Sequence, residues 1–182
     1  MADRSVRTAW SADAHAIGTV QVDAWREAYA DLLPAAALAE LDATDFAGAW
    51  RAAVERPPSA RHRVLVALEG PEVVGFAATA PSEDLDADPA TDGEVLALHV
   101  RHGARGEGHG SRLLSAVADT LRADGFTRAL TWLVASDDEL RAFLTDAGWA
   151  ADGAHRRLDL AGDGSTVVAQ VRLHTDLREE GA

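Results

Sequence analysis

The pattern of hydrophobic and polar positions divides the chain into short segments with two different periods. In the first third, one loosely alternating run predicts a strand, and three runs with apolar residues at helical spacing predict helices. These segments are a strand from Arg4 to Trp10 and helices over residues 11–28, 34–41 and 45–55. Ser11 and Asp13 are both candidate caps for the first helix. Pro34 suits the first turn of the second helix, and Pro57 with Pro58 breaks the chain after the third.

The remaining two thirds predict a hairpin and then alternating strands and helices. Two β-rich runs, Arg63–Glu69 and Glu72–Ala80, flank Gly70-Pro71 and predict an antiparallel pair with a tight turn. Residues 81–92 are acidic and rich in turn formers, which predicts a loop with freedom to move rather than an interdomain linker. The later segments are strand Glu94–Val100, helix Gly108–Ala123, strand Ala129–Ala135, helix Asp137–Ala147 and the closing strands Arg156–Leu160 and Thr166–His174.

Length and hydropathy are those expected of one domain. With 182 residues the chain can bury a full hydrophobic core, and residues 1–182 are expected to form one α/β (α+β) unit. No apolar run reaches the ~18 residues of a membrane helix. Residues 1–10 are polar and show no secretory signal, so a cytoplasmic location without membrane contact is expected.

Charge and composition exclude several classes of function. A formal net charge of −13 argues against a nucleic-acid partner, because phosphate binding needs a concentrated basic surface. The chain has no cysteine, which excludes a thiolate nucleophile and a cysteine-based metal site, and we expect no metal. All 17 basic residues are arginine, so no lysine can form a Schiff base. The acidic surface is expected to keep the protein in solution, and attraction of a cationic amine is the alternative.

The most informative segment lies between the strand Glu94–Val100 and the helix that follows it. The connection has glycine at positions 103, 106, 108 and 110, and glycine lets the main chain turn sharply and approach a ligand closely. The start of a helix presents unpaired N–H groups and the positive end of the helix dipole. Together these features predict a pyrophosphate site, and a plain strand-to-helix turn is the structural alternative.

Two common nucleotide-binding loops fit this segment poorly. A P-loop requires a lysine after its last glycine, and this chain contains none. A dinucleotide-binding fingerprint opens the first strand–helix unit of its domain and has an acidic residue at the end of the next strand. Here the glycines follow several strands and helices, and the next strand ends in Leu133-Val134-Ala135-Ser136.

The sequence Arg105-Gly-Glu-Gly-His-Gly110 resembles the central motif of the GNAT superfamily of N-acyltransferases. That motif is Gln or Arg, two residues, Gly, one residue, and then Gly or Ala, and Arg105, Gly108 and Gly110 match its fixed positions. The detailed likeness extends from Glu94 to Trp149, and the order of elements is similar over nearly the whole chain. The resemblance implies a mixed, mostly antiparallel sheet with helices on both faces, splayed between the fourth and fifth strands.

The same resemblance implies acetyl-CoA as a co-substrate. Main-chain amides of the glycine loop would hold its pyrophosphate, and the main chain of the strand before the loop would pair with the pantetheine arm. Arg105 and Arg112 would add positive charge near the phosphates, although Arg112 can equally be a solvated helix residue. The implied cofactor-binding residues are Leu98, His99, Val100, Arg105, Gly106, Gly108, His109, Gly110, Ser111 and Arg112.

The helices before the second strand resemble those that wall the acceptor site in many bacterial members of the superfamily. The likeness is carried by Val22-Asp-Ala-Trp25-Arg-Glu-Ala-Tyr29, Leu33-Pro34, Leu38, Leu41 and Trp50-Arg51. Tyr29, the single tyrosine of the chain, either lines the acceptor site or belongs to the core. Trp50 is expected in the core of an amphipathic helix.

Acyl transfer to an amine needs a base, because an ammonium has no lone pair and an ordinary primary amine has a pKa of about 10.4. Glu94 is the first candidate, since it begins the central strand where some family members carry a glutamate base. The alternative for Glu94 is a solvent-facing strand end. His99 is the second candidate, but strict alternation places it on the face opposite Glu94, and we expect it to be structural. His102 and His109 are interpreted as loop residues.

The departing CoA thiolate lacks its usual proton donor in this sequence. The family commonly has a tyrosine four residues before a Gly-Phe pair, and the corresponding position here is Leu144. Ser136, Thr145 and Tyr29 are candidate substitutes, and a thiolate with a pKa of about 8.5 can also leave without an acid. Asp137 and Ser136 otherwise suit the N-cap of the following helix.

These residues predict an acetyl-CoA-dependent N-acetyltransferase with Glu94, Ser136 and Tyr29 as candidate catalytic residues. The acceptor is a primary amine of a small molecule or peptide, which attacks in a ternary complex without a covalent enzyme intermediate. The alternative is an acyl-CoA-binding module with weak or no catalysis, which Leu144 suggests. The oligomeric state stays open, with a homodimer as one option.

Overall fold

The strands and helices follow the order that the sequence pattern predicts. The computed structural model describes residues 3–160 and 162–178, and residues 1, 2, 161 and 179–182 lie outside the description. The strands are β1 (Arg4–Thr8), β2 (Arg63–Glu69), β3 (Glu72–Pro81), β4 (Asp92–Val100), β5 (Arg128–Val134), β6 (Ala150–Asp159) and β7 (Val167–Asp176). The α-helices are α1 (Ala14–Ala28), α2 (Ala35–Ala39), α3 (Ala43–Glu55), α4 (His109–Ala123) and α5 (Asp138–Asp146), and short 3-10 turns occupy Ser11–Asp13 and His102–Ala104.

The described strands form one sheet in the order β1-β2-β3-β4-β5-β7-β6. β4 and β5 are parallel, and every other neighbouring pair is antiparallel. A parallel pair needs a crossover connection, and α4 supplies it. The mixed, mostly antiparallel sheet that the sequence predicts is therefore confirmed.

Hydrophobic cores lie on both faces of the sheet. The α4 face is covered by a core that includes Leu113 of α4 and Leu144 of α5. The opposite face, called the α1 face, is covered by a core that includes Ile17 of α1 and Phe76 of β3. Trp50 packs against this second core as predicted, with its ring centroid 5.0 Å from that of Phe76. The prediction of helices on both faces is confirmed.

β4 and β5 separate shortly after they begin. Their pairing covers four positions, from Asp92 opposite Arg128 to Val95 opposite Thr131. The hydroxyl of Thr131 donates to the carbonyl oxygen of Val95 at 2.9 Å, at the point where the strands part. Beyond this point β3 is the one described strand that pairs with β4, so the expected splay between the fourth and fifth strands is confirmed.

A bulge interrupts β4 just after the strands part. On β3, Thr79 lies opposite Val95, but the neighbouring Ala78 lies opposite Ala97. Leu96 is therefore an extra residue, and its side chain is exposed. Because a bulge bends its strand and increases the local twist, it helps β4 to diverge from β5.

The bulge also changes the face of the sheet on which His99 lies. Strict alternation would place Glu94 and His99 on opposite faces of the sheet, and one inserted residue returns them to the same face. The two cores agree with this, because Val95 and Leu98 pack on the α4 face, whereas Ala97 packs on the α1 face. The prediction that His99 faces away from Glu94 is therefore wrong, and both residues belong to the α1 face.

The start of β6 differs most from the prediction. β6 begins at Ala150 rather than Arg156, and its first half contains a register shift between Ala151 and His155. Nearly every residue of β6 is exposed, so the hydrophobic pattern carries no signal for its extent. Gly153 lies within the irregular stretch with a φ of +87°, a conformation that favours glycine.

Gly18 of α1 and Gly48 of α3 are a matched pair for testing how closely these helices pack. A Cβ on Gly18 would lie 2.5 Å from the carbonyl oxygen of Ala43, whereas one on Gly48 would meet no atom within 4 Å. We expect Gly18→Ala to lower the free energy of unfolding by about 1–3 kcal/mol through overpacking. Gly48→Ala should raise it by about 0.5–1 kcal/mol, since alanine favours a helix interior. Chemical denaturation measures both changes, and equal effects would contradict the close approach of α1 to α3.

Candidate active site

The glycine-rich connection after β4 ends in a row of main-chain donors at the start of α4. Gly106 and Gly108 have φ angles of +75° and +84°, and Gly108 caps α4 in the left-handed conformation. Within the described part of the chain, no acceptor faces the N–H groups of residues 106–111, which we call the amide row. The first hydrogen bond of α4 runs from the N–H of Arg112 to the carbonyl oxygen of Gly108, at 3.1 Å. Consecutive unpaired N–H groups at a helix start are suited to bind an anion.

The glycines of this loop make room for different groups. A Cβ at Gly106 would meet no atom within 4 Å, whereas one at Gly108 would lie 2.7 Å from Nη1 of Arg112. Arg112 therefore extends over the loop, where its Nη1 donates to the carbonyl oxygen of Glu107 at 3.4 Å. The ring of Phe143 lies 3.3 Å from where a Cβ of Gly110 would be. The absence of a side chain at Gly110 thus lets α5 pack close to α4.

Arg105 is held by acidic side chains and does not extend toward the amide row. Its guanidinium forms two hydrogen bonds with Glu27 of α1, at 2.9 and 2.7 Å, and one with Glu139 of α5 at 3.3 Å. Its Nε donates to the carbonyl oxygen of Val100 at 3.2 Å. These bonds connect the loop to α1 and α5. Arg105 was expected to add positive charge near the phosphates, but its guanidinium is already paired with Glu27 and Glu139.

His109, the first residue of α4, points into the protein. It is 1% exposed, and its Nε2 lies 3.8 Å from Oε2 of Glu69 without a hydrogen bond. Arg4 of β1 binds the loop just before His109, because its guanidinium donates to the carbonyl oxygen of Glu107 at 2.9 Å. Only the main-chain N–H of His109 belongs to the amide row, so the interpretation of its side chain as part of the loop is wrong.

The gap between β4 and β5 opens into a cleft lined from both faces of the sheet. Leu98 and Leu114 approach it from the α4 face, and His99 and Trp132 from the α1 face. The edge of β4 along Leu98 and His99 has no partner on the side of β5 among the described strands, so an extended ligand can pair with it. At Val100 the carbonyl oxygen already accepts from Arg105, which limits such pairing to the residues before it.

Glu94 lies on the α1 face where the cleft begins. It is 8% exposed, and the hydroxyl of Ser82 donates to its Oε2 at 3.2 Å. Burial raises the pKa of Glu94, and the negative charge of Asp84 adds to the rise. The alternative interpretation of Glu94 as a solvent-facing strand end is therefore wrong, and its carboxylate is a stronger base than an exposed one.

His99 shares the α1 face and is a weaker base than an ordinary histidine. Its ring centroid lies 5.4 Å from that of Phe76. Burial lowers the pKa of His99 to about 4, and the positive charge of Arg105 contributes to this. The imidazole is therefore neutral at neutral pH, which favours the predicted structural role over a catalytic one.

The acidic loop between β3 and β4 is tied to the sheet. Arg172 of β7 is 4% exposed and donates to Asp84 at 3.0 Å, to Asp86 at 2.6 and 2.7 Å, and to Asp152 at 2.8 Å. The indole Nε1 of Trp132 also donates to Asp84, at 2.9 Å. Hydrogen bonding to Arg172 lowers the pKa of Asp86 to about 2. These residues, named here the Arg172 cluster, connect the loop to β5, β6 and β7.

The candidate proton donors near α5 do not reach the cleft. Leu144 occupies the position at which the GNAT superfamily commonly has a tyrosine. It is 2% exposed and lines the cleft. Ser136 and Thr145 are exposed, and neither lines it. Asp137 accepts a hydrogen bond from the N–H of Leu140 at 2.9 Å, which confirms its predicted role as the N-cap of α5.

Tyr29 is buried at the C-terminal end of α1. It packs with Leu38 of α2 and Val168 of β7, and its ring centroid lies 5.8 Å from that of Trp25. The end of β5 contributes Val134 to the same cluster. Burial raises the pKa of the Tyr29 phenol, so the group keeps its proton at neutral pH. Tyr29 is thus a core residue, as one of its two interpretations expected, and its core adjoins the end of β5.

Sequence reasoning missed the Arg172 cluster and its neighbours Ser82 and Arg156. Their residues belong to one loop and three strands, and the sheet order β5-β7-β6 brings them together. Each of these residues taken alone is ordinary for a turn or a strand surface. The one available signal was Arg172 itself, because a charge within an apolar strand needs partners if it is buried.

Within residues 3–160 and 162–178, no group of three or more His, Cys, Asp and Glu side chains is arranged to hold a metal ion. Across the same described ranges, none of the helices combines the length and the hydropathy needed to cross a membrane.

Comparisons with known proteins agree with this architecture. Residues 12–149 match the sequence profile of the acetyltransferase (GNAT) family. The chain is 28% identical over 130 residues to YuaI, an uncharacterized N-acetyltransferase of Bacillus subtilis strain 168, and the match covers 71% of each protein.

Solved structures share the fold. An N-acetyltransferase from Staphylococcus aureus Mu50 matches with a TM-score of 0.75 at 19% identity, over 97% of this chain and 99% of that one. The protein yncA from Salmonella typhimurium, solved with its cofactor acetyl-CoA, matches with a TM-score of 0.72 at 20% identity, over 99% and 97% of the two chains. At these identities the likeness establishes the fold alone.

Proposed function

Because the chain belongs to the acetyltransferase (GNAT) family, we propose that it transfers an acetyl group from acetyl-CoA to a primary amine. The amine, on a small molecule or a peptide, attacks the thioester directly in a ternary complex. The amide row carries this proposal, because six consecutive N–H groups without an acceptor among the described residues suit the pyrophosphate of CoA.

Fixed main-chain dipoles explain how a protein with a net charge of −13 can hold a polyanion. The N–H groups of residues 106–111 need no mobile side chain, and the dipole of the 15-residue helix α4 adds to their field. Arg112 extends over the same loop and is the cation best placed to add charge there. Arg105 contributes indirectly, by holding the loop against α1 and α5.

The cleft between β4 and β5 suits the pantetheine arm and the thioester. The main chain of Leu98 and His99 offers an unpaired strand edge, and apolar side chains such as Leu114 and Trp149 line the walls. Exclusion of water by such walls strengthens the electrostatic interactions inside the site. The acceptor amine then reaches the thioester from the α1 face, where Glu94 lies.

Glu94 is the proposed general base. An ordinary primary amine has a pKa of about 10.4, so it is protonated at neutral pH and must lose a proton before it can attack. Burial brings the pKa of Glu94 closer to neutral pH, and a carboxylate of higher pKa accepts a proton more readily. The hydroxyl of Ser82 orients this carboxylate. The proton passes to Glu94, directly or through a water, and the amine nitrogen then forms the bond to the acetyl carbon.

The CoA thiolate leaves with a proton from Tyr29 or without assistance. Tyr29 keeps its proton at neutral pH, but it packs in the core and, like the exposed Ser136, is not among the residues that line the cleft. Leu144, which does line the cleft, has no proton to give. A thiol with a pKa of about 8.5 is a tolerable leaving group, which makes unassisted departure sufficient.

Leu144 also favours a second function, an acyl-CoA-binding module with little or no catalysis. Both functions require binding of acetyl-CoA, but only the transferase releases the CoA thiol when an amine is present. We expect a thiol reagent to detect release across a panel of small amines and peptides with free N-termini. The protein has no cysteine, so the reagent reports CoA alone. Calorimetric binding of acetyl-CoA without thiol release for any amine would favour the module.

A carboxylate in the first turn of α4 separates ligand binding from folding. Ser111 is exposed and is the third residue of the helix, next to the amide row. Ser111→Asp should weaken CoA binding by about tenfold or more, because the new charge repels the pyrophosphate. The stability should stay unchanged or rise by about 0.3–1 kcal/mol, since an acidic residue is favourable at a helix start. Titration calorimetry with CoA and thermal unfolding measure the two effects.

Ser115→Asp is the matched control for Ser111→Asp. It places the same charge on the same helix, about 6 Å further from the amide row along the helix axis. The loss of CoA affinity should be much smaller there. If Ser111→Asp bound CoA as tightly as the wild type, the amide row would not be the pyrophosphate site.

Removal of the carboxylate charge at position 94 tests the base. At neutral pH, Glu94→Gln should lower kcat/KM by about 10²–10⁴-fold, because the amine loses its proton acceptor. The deficit should shrink as the pH rises toward the pKa of the acceptor amine, since less of the amine then needs deprotonation. Glu55→Gln, which neutralises an exposed carboxylate at the end of α3, should keep the wild-type profile. Wild-type rates for Glu94→Gln at every pH would exclude Glu94 as the base.

A further inference from the structure

Arg156 of β6 holds its guanidinium over a side chain that lines the cleft. The Cζ atom of Arg156 lies 4.2 Å from the ring centroid of Trp132. Its Nε donates to Oε1 of Gln170 at 2.7 Å. Stacking on the indole and the hydrogen bond at Nε together fix the plane and the direction of the guanidinium.

The two terminal nitrogens of Arg156 have no acceptor within hydrogen-bond distance among residues 3–160 and 162–178. Its Nη1 lies 3.9 Å from Oδ1 of Asp84, which is too long for a hydrogen bond. Asp84 already accepts from Trp132 and Arg172. The side chain of Arg156 is 42% exposed. An oriented pair of N–H donors is therefore open to a ligand.

The strand register places Arg156 and Glu94 on the same face of the sheet. Arg156 lies opposite Gln170, and Gln170 lies opposite Val134. Leu130, an even number of positions before Val134 on β5, lies opposite Glu94. Directly opposed residues share a face, and so do residues at even spacing along a strand. Both charged groups therefore point to the α1 face, from which the acceptor reaches the cleft.

The two groups also lie within electrostatic reach of each other. The guanidinium stacks on Trp132 of β5, which lies two residues after Leu130, the residue opposite Glu94. Burial and the charge of Asp84 raise the pKa of Glu94, and the positive charge of Arg156 opposes this rise. The charges of Arg156 and Glu94 therefore interact across the α1 face.

We propose that Arg156 determines acceptor specificity by binding a carboxylate, so that the acceptor is an amine with a neighbouring carboxylate, such as a free α-amino acid. This inference rests on the proposed function. The amine lies toward Glu94 and the thioester, and the carboxylate accepts two parallel hydrogen bonds from Nη1 and Nη2 of Arg156. A planar guanidinium matches a carboxylate in this geometry, and its fixed orientation reduces the entropy lost on binding.

The nearby aspartates are compatible with this arrangement. Asp84, Asp86 and Asp152 all accept hydrogen bonds from Arg172, so their charges are already partly compensated. The negative charge that remains favours the ammonium end of an amino acid. A diamine would place its second positive charge beside Arg156, whereas a zwitterion matches the charges at both ends of the site.

The test compares amino acids with matched ligands that lack the carboxylate. Leucine, methionine, phenylalanine and glutamine are titrated into the protein saturated with CoA, each beside its carboxamide and its decarboxylated amine. We expect at least one amino acid to bind about tenfold or more tightly than both of its analogues. Arg156→Gln should reduce this preference to about twofold or less, and Arg156→Lys, which keeps the charge without the planar fork, should retain part of it.

Arg157→Gln is the matched control, because it removes the same charge from the adjacent residue on the opposite face of β6. It should keep the wild-type preference. Equal or tighter binding of the carboxamides, no binding of any amino acid, or an unchanged preference in Arg156→Gln would each overturn the inference. Thiol release from acetyl-CoA is measured with the same ligands. Turnover without a carboxylate preference leaves the proposed function standing and removes this inference. A carboxylate preference without turnover contradicts the proposed function and leaves Arg156 as a carboxylate-binding residue of an acyl-CoA-binding module.

Discussion

The point at which β4 and β5 stop pairing determines where every other part of the site can lie. Four paired positions hold the strands together, and the hydroxyl of Thr131 bonds to the carbonyl of Val95 where they part. The bulge at Leu96 then bends β4 away, which opens the cleft and leaves one edge of the strand unpaired. Because α4 connects these two strands, its N-terminus and the amide row lie beside the same opening.

The two ends of the site differ in the groups that create their electrostatic potential. Main-chain N–H groups supply the positive potential at the amide row, and the neighbouring Arg105 is engaged by carboxylates of α1 and α5. On the α1 face, charged side chains dominate: Glu94 is buried beside Ser82, and Arg172 binds three aspartates. An acidic protein can therefore bind a diphosphate at one end of the cleft and still favour a cationic amine at the other.

The Arg172 cluster links the acidic loop to the chemistry of Glu94. Arg172 and Trp132 fix Asp84, the N–H of Asp84 donates to the hydroxyl of Ser82 at 3.4 Å, and that hydroxyl donates to Glu94. A buried arginine is costly unless it is fully bonded, and here its donors meet three carboxylates. The same contacts that hold the loop in place thus help to orient the proposed base.

The sequence by itself determined the order of strands and helices, the glycine-rich start of α4 and the aliphatic residue at Leu144, because each depends on residue type and local spacing. Only the tertiary structure decided that His99 shares a face with Glu94, since the bulge is set by pairing with β3. It also decided the partners of Arg105 and the environment of Arg156, because these contacts join elements far apart in the chain. Local patterns record which residues are near in sequence, whereas a site built across a sheet depends on strand order and register.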